Sequence, residues 1–249
     1  MQDVELAWGA ATDTGQRAEN QDSSVALPPV FAVADGMGGH AEGRQASEVV
    51  VDRLAAIEGT ALTVEGLREA IRDADDRIRS VAESIADARG MGTTVAGVAL
   101  VEAVVEGTPQ PCWAVFHVGD SRVYLFAGGR LERVSTDHSV VQELLDAGMI
   151  RAGDVATHPQ RHLVTRALGV GAPADPDVTL LPVEPGQRFL ACSDGLTGEM
   201  DDEEIARLLA DAADPGEAAA LLVRTAADRG ASDNVTAVVV DVRPLPAAT

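Results

Sequence analysis

Lysine is absent from this 249-residue chain, so all 19 basic residues are arginine, against 40 aspartates and glutamates. The formal net charge of −21 argues against a nucleic-acid-binding protein, because no surface of this composition could neutralise a run of phosphates. Aromatic residues make up only 3% of the chain, so the core must be built from Val, Leu, Ile and Ala.

Cysteine is also scarce: Cys112 and Cys192 each lie inside an apolar run. This placement predicts buried free thiols in a reducing compartment. The amino terminus lacks a basic segment followed by an apolar stretch, and no apolar run approaches the roughly 18 residues that span a bilayer. We therefore expect a cytoplasmic protein without membrane insertion.

Two pairs of helices are predicted. Apolar residues recur at steps of three and four across 64–88 and again across 42–58, which indicates two amphipathic helices. Thr63 is the expected N-cap of the first, and Gly90 its expected stop. Pairs with the spacing of a capping box indicate two more helices near the carboxyl end: Asp201 with Glu204, and Asp214 with Glu217, where Pro215 fits the first turn.

The sequence between these helix pairs is rich in β-branched and aromatic residues, and Gly128-Gly129 is a strong hairpin signal. Short connections favour antiparallel pairing. We predict one α/β domain in which antiparallel sheets are stacked and helix pairs lie outside them. The predicted strands cover residues 30–34, 93–105, 112–118, 122–127, 130–135, 178–183, 187–192 and 234–242.

Residues 139–172 break this pattern. A short helix to about Ala147 is predicted there, followed by a polar loop, and a loop of this length in a compact domain is usually functional or disordered. Residues 243–249 are expected to form a disordered tail or the start of a linker.

Four carboxylates lie at the ends of predicted strands. Asp35 follows residues 30–34, whereas the other three are Asp120 in "VGDSR", Asp194 in "CSDG" and Asp233 in "SDNVT". In an antiparallel sheet the exit of one strand lies beside the entry of its neighbour. Three strand exits and one strand entry can therefore meet at one edge of a sheet.

Such a cluster requires a cation, because two like charges 4 Å apart repel by about 1 kcal/mol even in water. Oxygen ligands alone favour Mg²⁺ or Mn²⁺ over zinc. We expect Gly36, Gly38, Gly39 and Gly43 to let backbone carbonyls and waters approach the metal. Two ions that share a carboxylate could lower the pKa of a bridging water and so produce a hydroxide nucleophile.

Each feature also has an ordinary interpretation. A lone Asp-Gly is usually a turn, and "GMGG" lacks the Lys-Ser/Thr that follows in a nucleotide-binding loop. His158 and His162 have a proline between them and no zincin glutamate, which argues against zinc. Ser121 and Ser193 lack the Gly-x-Ser-x-Gly frame of a serine nucleophile. The combination and order of the motifs therefore carry the functional interpretation.

From about residue 6 to residue 242, the chain resembles the PPM, or type 2C, family of metal-dependent Ser/Thr protein phosphatases. Its bacterial single-domain members are the most similar, since they too carry Met after the first Asp-Gly. The resemblance rests on seven motifs in the family's order: "TGQRAENQD" (14–22), "VADGMGG" (33–39), "MGTT" (91–94), "VGDSRVY" (118–124), "DHS" (137–139), "SDGL" (193–196) and "DNVT" (233–236).

The resemblance implies a β-sandwich of two antiparallel sheets flanked by pairs of antiparallel helices, in αββα layers. It implies a single catalytic domain over residues 1–242, in which 139–172 is a mobile flap that governs access. The cofactors it implies are two Mn²⁺ or Mg²⁺ ions and a third ion that binds more weakly.

The family's site residues carry over to matching positions. Asp35 would bridge both ions and the Gly36 carbonyl would bind one of them, whereas Asp194 and Asp233 would bind the other. Asp120, together with Asp194, would hold the third ion. Arg17 matches the phosphate-binding arginine, whose planar guanidinium can hold two phosphate oxygens. Asp22 and Gln21 would lie outside the metal ligands, where Asp22 orients metal-bound waters.

Two positions depart from the family pattern. Animal members have His where Met37 stands, and because Met37 cannot donate a proton, a metal-bound water or His40 must protonate the leaving alkoxide. Some members have Glu in place of Gln21, which leaves Asp22 as the outer carboxylate.

The implied function is hydrolysis of phosphoserine and phosphothreonine monoesters on proteins, by in-line attack of a metal-activated water without a phosphoenzyme. Arg17, Asp35 and Asp194 are the expected catalytic residues. The expected partners are phosphorylated proteins, including autophosphorylated Ser/Thr kinases, and the expected state is a monomer. The alternatives are a pseudophosphatase that binds phosphoproteins, against which the intact acids argue, and another metal phosphohydrolase such as a nucleotide phosphodiesterase.

Overall fold

The computed structural model of the chain describes residues 4–57, 62–84 and 90–245, and omits the side chains of residues 40 and 41. Two antiparallel sheets lie face to face. The first sheet has the strand order β1 (Val4–Asp13), β11 (Val235–Pro244), β10 (Arg188–Cys192), β7 (Arg122–Ala127) and β8 (Arg130–Arg133). The second has the order β2 (Asp22–Leu27), β3 (Val30–Met37), β5 (Val95–Val105), β6 (Thr108–Val118) and β9 (Asp177–Pro182), with the short β4 (Gly92–Thr93) beside β3.

Helices cover the outer face of each sheet, which confirms the αββα layers. Helices α1 (His40–Ala55) and α2 (Val64–Ser84) bury their apolar faces against the second sheet. Helices α5 (Asp202–Asp211) and α6 (Pro215–Asp228) do the same against the first sheet. The shorter α3 (Val140–Asp146) and α4 (Asp194–Thr197) lie in the connections. Within the described residues, no helix combines the length and apolar character needed to cross a membrane.

The layer between the sheets is built around three of the seven aromatic residues. Phe31 and Phe189 come from different sheets and both pack on Trp113, with ring centroids 6.4 and 5.2 Å apart. All three side chains are almost fully buried, as aromatic residues at the centre of a core usually are. The remaining inter-sheet contacts are made by Val, Leu and Ala, as the composition predicts.

The predicted helix N-caps and the predicted hairpin turn are confirmed. The Asp201 side chain accepts a hydrogen bond from the Glu204 N–H, and the Asp214 side chain caps α6 in the same way. The Thr63 hydroxyl accepts from the Gly66 N–H at the start of α2. Gly128 and Gly129, with φ of 57° and 77°, form the tight turn between β7 and β8.

Several boundaries differ from the sequence predictions. The helix predicted over 42–58 begins two residues earlier, at His40, and ends at Ala55. The helix predicted over 64–88 ends at Ser84 within the described chain, since residues 85–89 lie outside it. Strand β11 continues to Pro244, two residues beyond the expected limit at 242, because it pairs with β1 along its whole length.

The 139–172 segment holds more structure than a polar loop. It contains α3, as predicted, followed by a 3-10 helix over Ala152–Thr157. An isolated bridge between Ser139 and Val164 closes the segment on itself, and a second between Thr93 and Leu168 fixes its later part to the domain. We call residues 139–172 the flap below.

Candidate functional site

A cavity of about 900 Å³ opens at one end of the sandwich. All four predicted aspartates line it, which confirms that the fold brings them together. The predicted residues in its wall are Arg17, Gln21, Asp35, Gly36, Asp120, Asp194 and Asp233.

The acids come from both sheets, so the prediction that they share one sheet edge was wrong. Asp35 lies on β3 of the second sheet, whereas Asp194 begins α4 after β10 of the first sheet and Asp233 precedes β11. Asp120 occupies the turn that passes from β6 in one sheet to β7 in the other. Strand β3 also continues past Asp35 to Met37, because Gly36 and Met37 pair with β4.

Asp22 completes the acidic cluster. It lies directly opposite Asp35 in the pairing of β2 with β3. Its Oδ2 accepts a 2.8 Å hydrogen bond from the Ser193 hydroxyl, whose oxygen in turn accepts from the Thr236 N–H at 2.9 Å. Ser193, which sequence reasoning considered only as a nucleophile, therefore holds Asp22 in place.

The environment makes these carboxyls hard to ionise. Burial raises the pKa of Asp35 well above its ordinary 3.8, and the negative charges of Asp22 and Asp194 add to the effect. Burial likewise raises the pKa of Asp22 to about 6 and that of Asp120 to about 7, in both cases with help from the charge of Asp194. Nearby positive charge would reverse these shifts.

Two carboxylate oxygens in the described part of the chain have no hydrogen-bond partner although they are buried: Oδ1 of Asp22 and Oδ1 of Asp194. A buried oxygen of this kind usually has a partner, which can be an ion. Together with the raised pKa values and a donor set made only of oxygens, this geometry fits a hard divalent cation such as Mn²⁺ or Mg²⁺.

The "MGTT" motif fixes the backbone of Asp35. The Asp35 carbonyl accepts from the Thr93 hydroxyl at 2.8 Å and from the Thr94 N–H at 2.9 Å. The Thr94 hydroxyl accepts from the Asp35 N–H and lies 2.7 Å from the Ser121 hydroxyl, next to Asp120. Thr93 and Thr94 therefore link the backbone of Asp35 to the turn that carries Asp120.

The glycine after Asp35 also has a packing role, which the sequence did not indicate. A Cβ on Gly36 would lie 2.1 Å from the Gly43 carbonyl oxygen of α1 and 2.7 Å from the Gln21 carbonyl oxygen. Glycine at 36 therefore permits close contact of β3, α1 and the segment before β2.

Arg17 extends into the cavity from the loop after β1. Its Nη2 donates a 2.7 Å hydrogen bond to Oδ2 of Asp233, and its side chain is 59% exposed. The guanidinium is thus held at the edge of the acidic cluster but stays accessible from solvent. This is the position that recognition of an anionic group requires.

Asn234 positions that loop, a role that sequence reasoning missed. Its Oδ1 accepts from the Gln21 N–H at 2.8 Å, and its Nδ2 donates to the carbonyls of Thr14 and Glu19. The signal was present in the "DNVT" motif, but only the tertiary fold shows which carbonyls the amide reaches.

Two flap residues also line the cavity, His162 and Val164. Burial and the charge of Asp233 raise the pKa of Asp194, and a protonated His162 would oppose this shift. Sequence reasoning considered His162 only as a zinc ligand beside His158. Met37 lines the cavity as well, whereas the side chain of His40 lies outside the described part of the structure.

Comparison with known proteins relates this geometry to a family. The model of the family described as Protein phosphatase 2C matches residues 16–227. The chain is 38% identical over 242 residues to the serine/threonine protein phosphatase PstP of Mycobacterium tuberculosis, which covers 95% of this chain but 45% of PstP. The chain therefore spans about half the length of this curated relative.

Solved structures show the same fold. The crystal structure of the M. tuberculosis serine/threonine phosphatase PstP/Ppp matches with a TM-score of 0.87 and 36% identity, over 96% of this chain and 99% of that one. A second structure, the catalytic domain of PstP in complex with two manganese ions, matches with a TM-score of 0.85 and 35% identity, over the same shares of the two chains.

Proposed function

Because the chain belongs to the protein phosphatase 2C family, we propose that it is a metal-dependent enzyme that hydrolyses phosphoserine and phosphothreonine monoesters on proteins. The observation that carries the proposal is the meeting of Asp35, Asp120, Asp194 and Asp233 in one cavity beside an accessible arginine. Catalysis of this reaction depends mainly on placing positive charge around the phosphoryl group.

Two Mn²⁺ or Mg²⁺ ions would be held by Asp35, the Gly36 carbonyl, Asp194 and Asp233. Asp120, with Asp194, would hold a third and weaker one. Bound divalent ions of this kind lower the pKa of water and neutralise charge on phosphoryl oxygens. Support for manganese comes from the PstP catalytic domain, which was crystallised in complex with two manganese ions.

The remaining residues would bind and position. Arg17 would hold two phosphoryl oxygens with its planar guanidinium, and Asp233 would orient it through the existing ion pair. Asp22 would help to position the metal ligands, since Ser193 fixes its Oδ2 while its buried Oδ1 has no hydrogen-bond partner in the described structure. Gln21, in the cavity wall, would support the same ligands.

We further propose that residues 1–242 act as one catalytic domain, in which the flap controls access of the phosphoprotein. The expected substrates include autophosphorylated Ser/Thr kinases, and the expected active form is a monomer. A cytoplasmic location is supported by Cys112 and Cys192, which are buried free thiols as predicted.

The test is release of phosphate from a phosphothreonine peptide with and without Mn²⁺. Asp35→Asn and Asp194→Asn should each lower turnover at least a hundredfold, because the variant site binds cations less well. Asp76→Asn, on the exposed face of α2, is the matched control and should leave turnover unchanged.

Two results would contradict the proposal. Wild-type protein that binds the phosphopeptide but releases no phosphate would be a pseudophosphatase. Faster cleavage of bis(p-nitrophenyl) phosphate than of the phosphopeptide would indicate a phosphodiesterase.

A further inference from the structure

A second cluster of metal-binding residue types lies beside the acidic cavity. His117 lies near the end of β6, His138 precedes α3 and Asp177 begins β9, and they offer ligand atoms that all lie within 4.8 Å of one another. The two imidazole rings are stacked with centroids 4.6 Å apart. Such a group could bind an ion or could serve as a hydrogen-bonded joint, and the hydrogen bonds decide between these possibilities.

Both ring nitrogens of His138 and the Nε2 of His117 take part in hydrogen bonds within the described structure. His117 Nε2 lies 2.7 Å from the Thr136 carbonyl and must donate to it. His138 Nδ1 accepts from the Gly119 N–H at 3.0 Å, and its Nε2 lies 3.3 Å from Asp177 Oδ2. The Arg166 guanidinium, 2.9 Å from Nε2, adds positive charge that would repel a cation.

His138 is bonded twice to the residue before Asp120. Its own N–H donates to the Gly119 carbonyl at 2.9 Å, while its ring accepts from the Gly119 N–H. Gly119 has a φ of 106°, and a Cβ there would lie 2.6 Å from the Thr94 side chain, so the turn has little freedom. His138 therefore fixes the backbone that carries Asp120.

The same residue holds the flap. The His138 carbonyl accepts from the Thr165 N–H at 2.8 Å, and the next residue, Ser139, bridges to Val164. Arg166 extends the connection, because it donates to Asp177 Oδ1 at 3.0 Å beside the His138 ring. Since Val164 lines the cavity, one histidine contacts both the Asp120 turn and the base of the flap.

Resting on the function proposed above, we infer that His138 is a positioning residue that couples cation binding at Asp120 to the order of the flap. Binding at Asp120 would stabilise the 119–120 turn, and through His138 the flap segment 163–166. By thermodynamic linkage, a flap ordered by substrate would increase the affinity for the cation at Asp120 by the same factor. Burial, which lowers the pKa of His138, agrees with the neutral ring that these bonds require.

The coupling is tested by hydrogen–deuterium exchange of peptides spanning 160–168, with and without Mn²⁺, alongside calorimetric titration with Mn²⁺. In the wild type, Mn²⁺ should slow exchange of the Thr165 amide. In His138→Ala this slowing should disappear, and the weaker class of Mn²⁺ sites should lose about tenfold in affinity while the tighter class is unchanged.

His138→Asn serves as the rescue variant, because the Asn carbonyl oxygen can replace Nδ1 as acceptor for the Gly119 N–H. It should restore Mn²⁺ affinity. His158→Gln, also in the flap but without contact to Gly119, is the matched control. Should His138→Ala fail to fold, Asp177→Asn is the second variant. It weakens the contact between Asp177 and the His138 ring from a half-exposed position, and it should reduce the slowing of flap exchange by Mn²⁺.

Two results would overturn the inference. One is hydrogen–deuterium exchange in the wild type that is the same with and without Mn²⁺, and the other is a folded His138→Ala variant in which Mn²⁺ slows exchange as much as it does in the wild type. Both readouts are independent of turnover. If phosphate release is normal but the coupling is missing, only this inference fails. If Mn²⁺ does not bind at all, the proposed function fails with it.

Discussion

Asp22 and Asp35 face each other across the antiparallel pair β2–β3, and both carboxyls have raised pKa values because they are buried together. Two acids in adjacent strands would ordinarily destabilise a sheet. A cation bound among these acids, as proposed above, would offset their repulsion. A substitution that removes one of these acids should therefore raise the stability of the metal-free protein and lower its affinity for metal.

Replacement of Asp22 by Asn separates these two effects. Without the buried negative charge, the metal-free protein should gain on the order of 2 kcal/mol in free energy of unfolding at pH 8. Affinity for Mn²⁺ should fall by about 10- to 100-fold, the usual cost of losing a group that orients ligands. Urea unfolding in EDTA and calorimetric titration measure the two quantities, and a loss of stability in EDTA would contradict the assignment.

Stability of the metal-free protein should depend on pH. The pKa values of Asp22 and Asp120, about 6 and about 7, exceed the ordinary 3.8, so the folded chain keeps protons that the unfolded chain has lost. The free energy of unfolding should therefore fall as pH rises from about 4 to 7. Urea midpoints in EDTA at pH 5.5 and pH 8 test this, and saturating Mn²⁺ should remove the decline.

Arg17→Lys tests the bidentate phosphate contact. Lysine keeps the charge but cannot hold two oxygens in one plane, so KM for a phosphothreonine peptide should rise about tenfold. Arg17→Ala should raise KM further. Arg224→Lys, at an exposed position of α6, is the control and should have the KM of the wild type. Equal KM values for Arg17→Lys and the wild type would show that the guanidinium geometry is not used.

His162→Gln tests whether the flap histidine assists the leaving group. Among the described residues that line the cavity, His162 is the histidine, and an imidazole can carry a proton near neutral pH. Turnover of a phosphothreonine peptide, whose alkoxide needs a proton, should fall about a hundredfold. Turnover of p-nitrophenyl phosphate should change little, since nitrophenolate leaves unprotonated. Equal losses on both substrates would point to a binding role instead.

Gly36→Ala tests the close approach of β3 and α1. The new methyl group would overlap the Gly43 carbonyl, so the variant should lose roughly 1–3 kcal/mol of stability. For a chain of this size that corresponds to about 2–4 °C in Tm per kcal/mol. Gly153→Ala, where a Cβ would meet nothing within 4 Å, should melt like the wild type.

Local features of this fold were predictable from the sequence. The caps at Asp201 and Asp214 and the turn at Gly128-Gly129 depend on bonds within a few residues, so a short stretch contains the whole signal. The ordered motifs also predicted the αββα architecture and the meeting of Asp35, Asp120, Asp194 and Asp233.

Long-range contacts were not predictable in the same way. That Asp22 lies opposite Asp35 depends on strand register, in which a shift of one residue would turn every side chain to the other face. The bonds of Asn234 to the 14–21 segment and of His138 to Gly119 join residues that belong to different segments of the chain. Only packing of the complete fold decides such contacts.

The turn at Asp120 passes from one sheet to the other, while Asp35 and Asp194 are contributed by opposite layers. An ion held among them would fasten the two halves of the sandwich together at its open end. The spacing of the layers there would then follow the amount of free divalent metal around the protein. The shape of the catalytic end would thus be set by the surrounding solution as well as by the polypeptide.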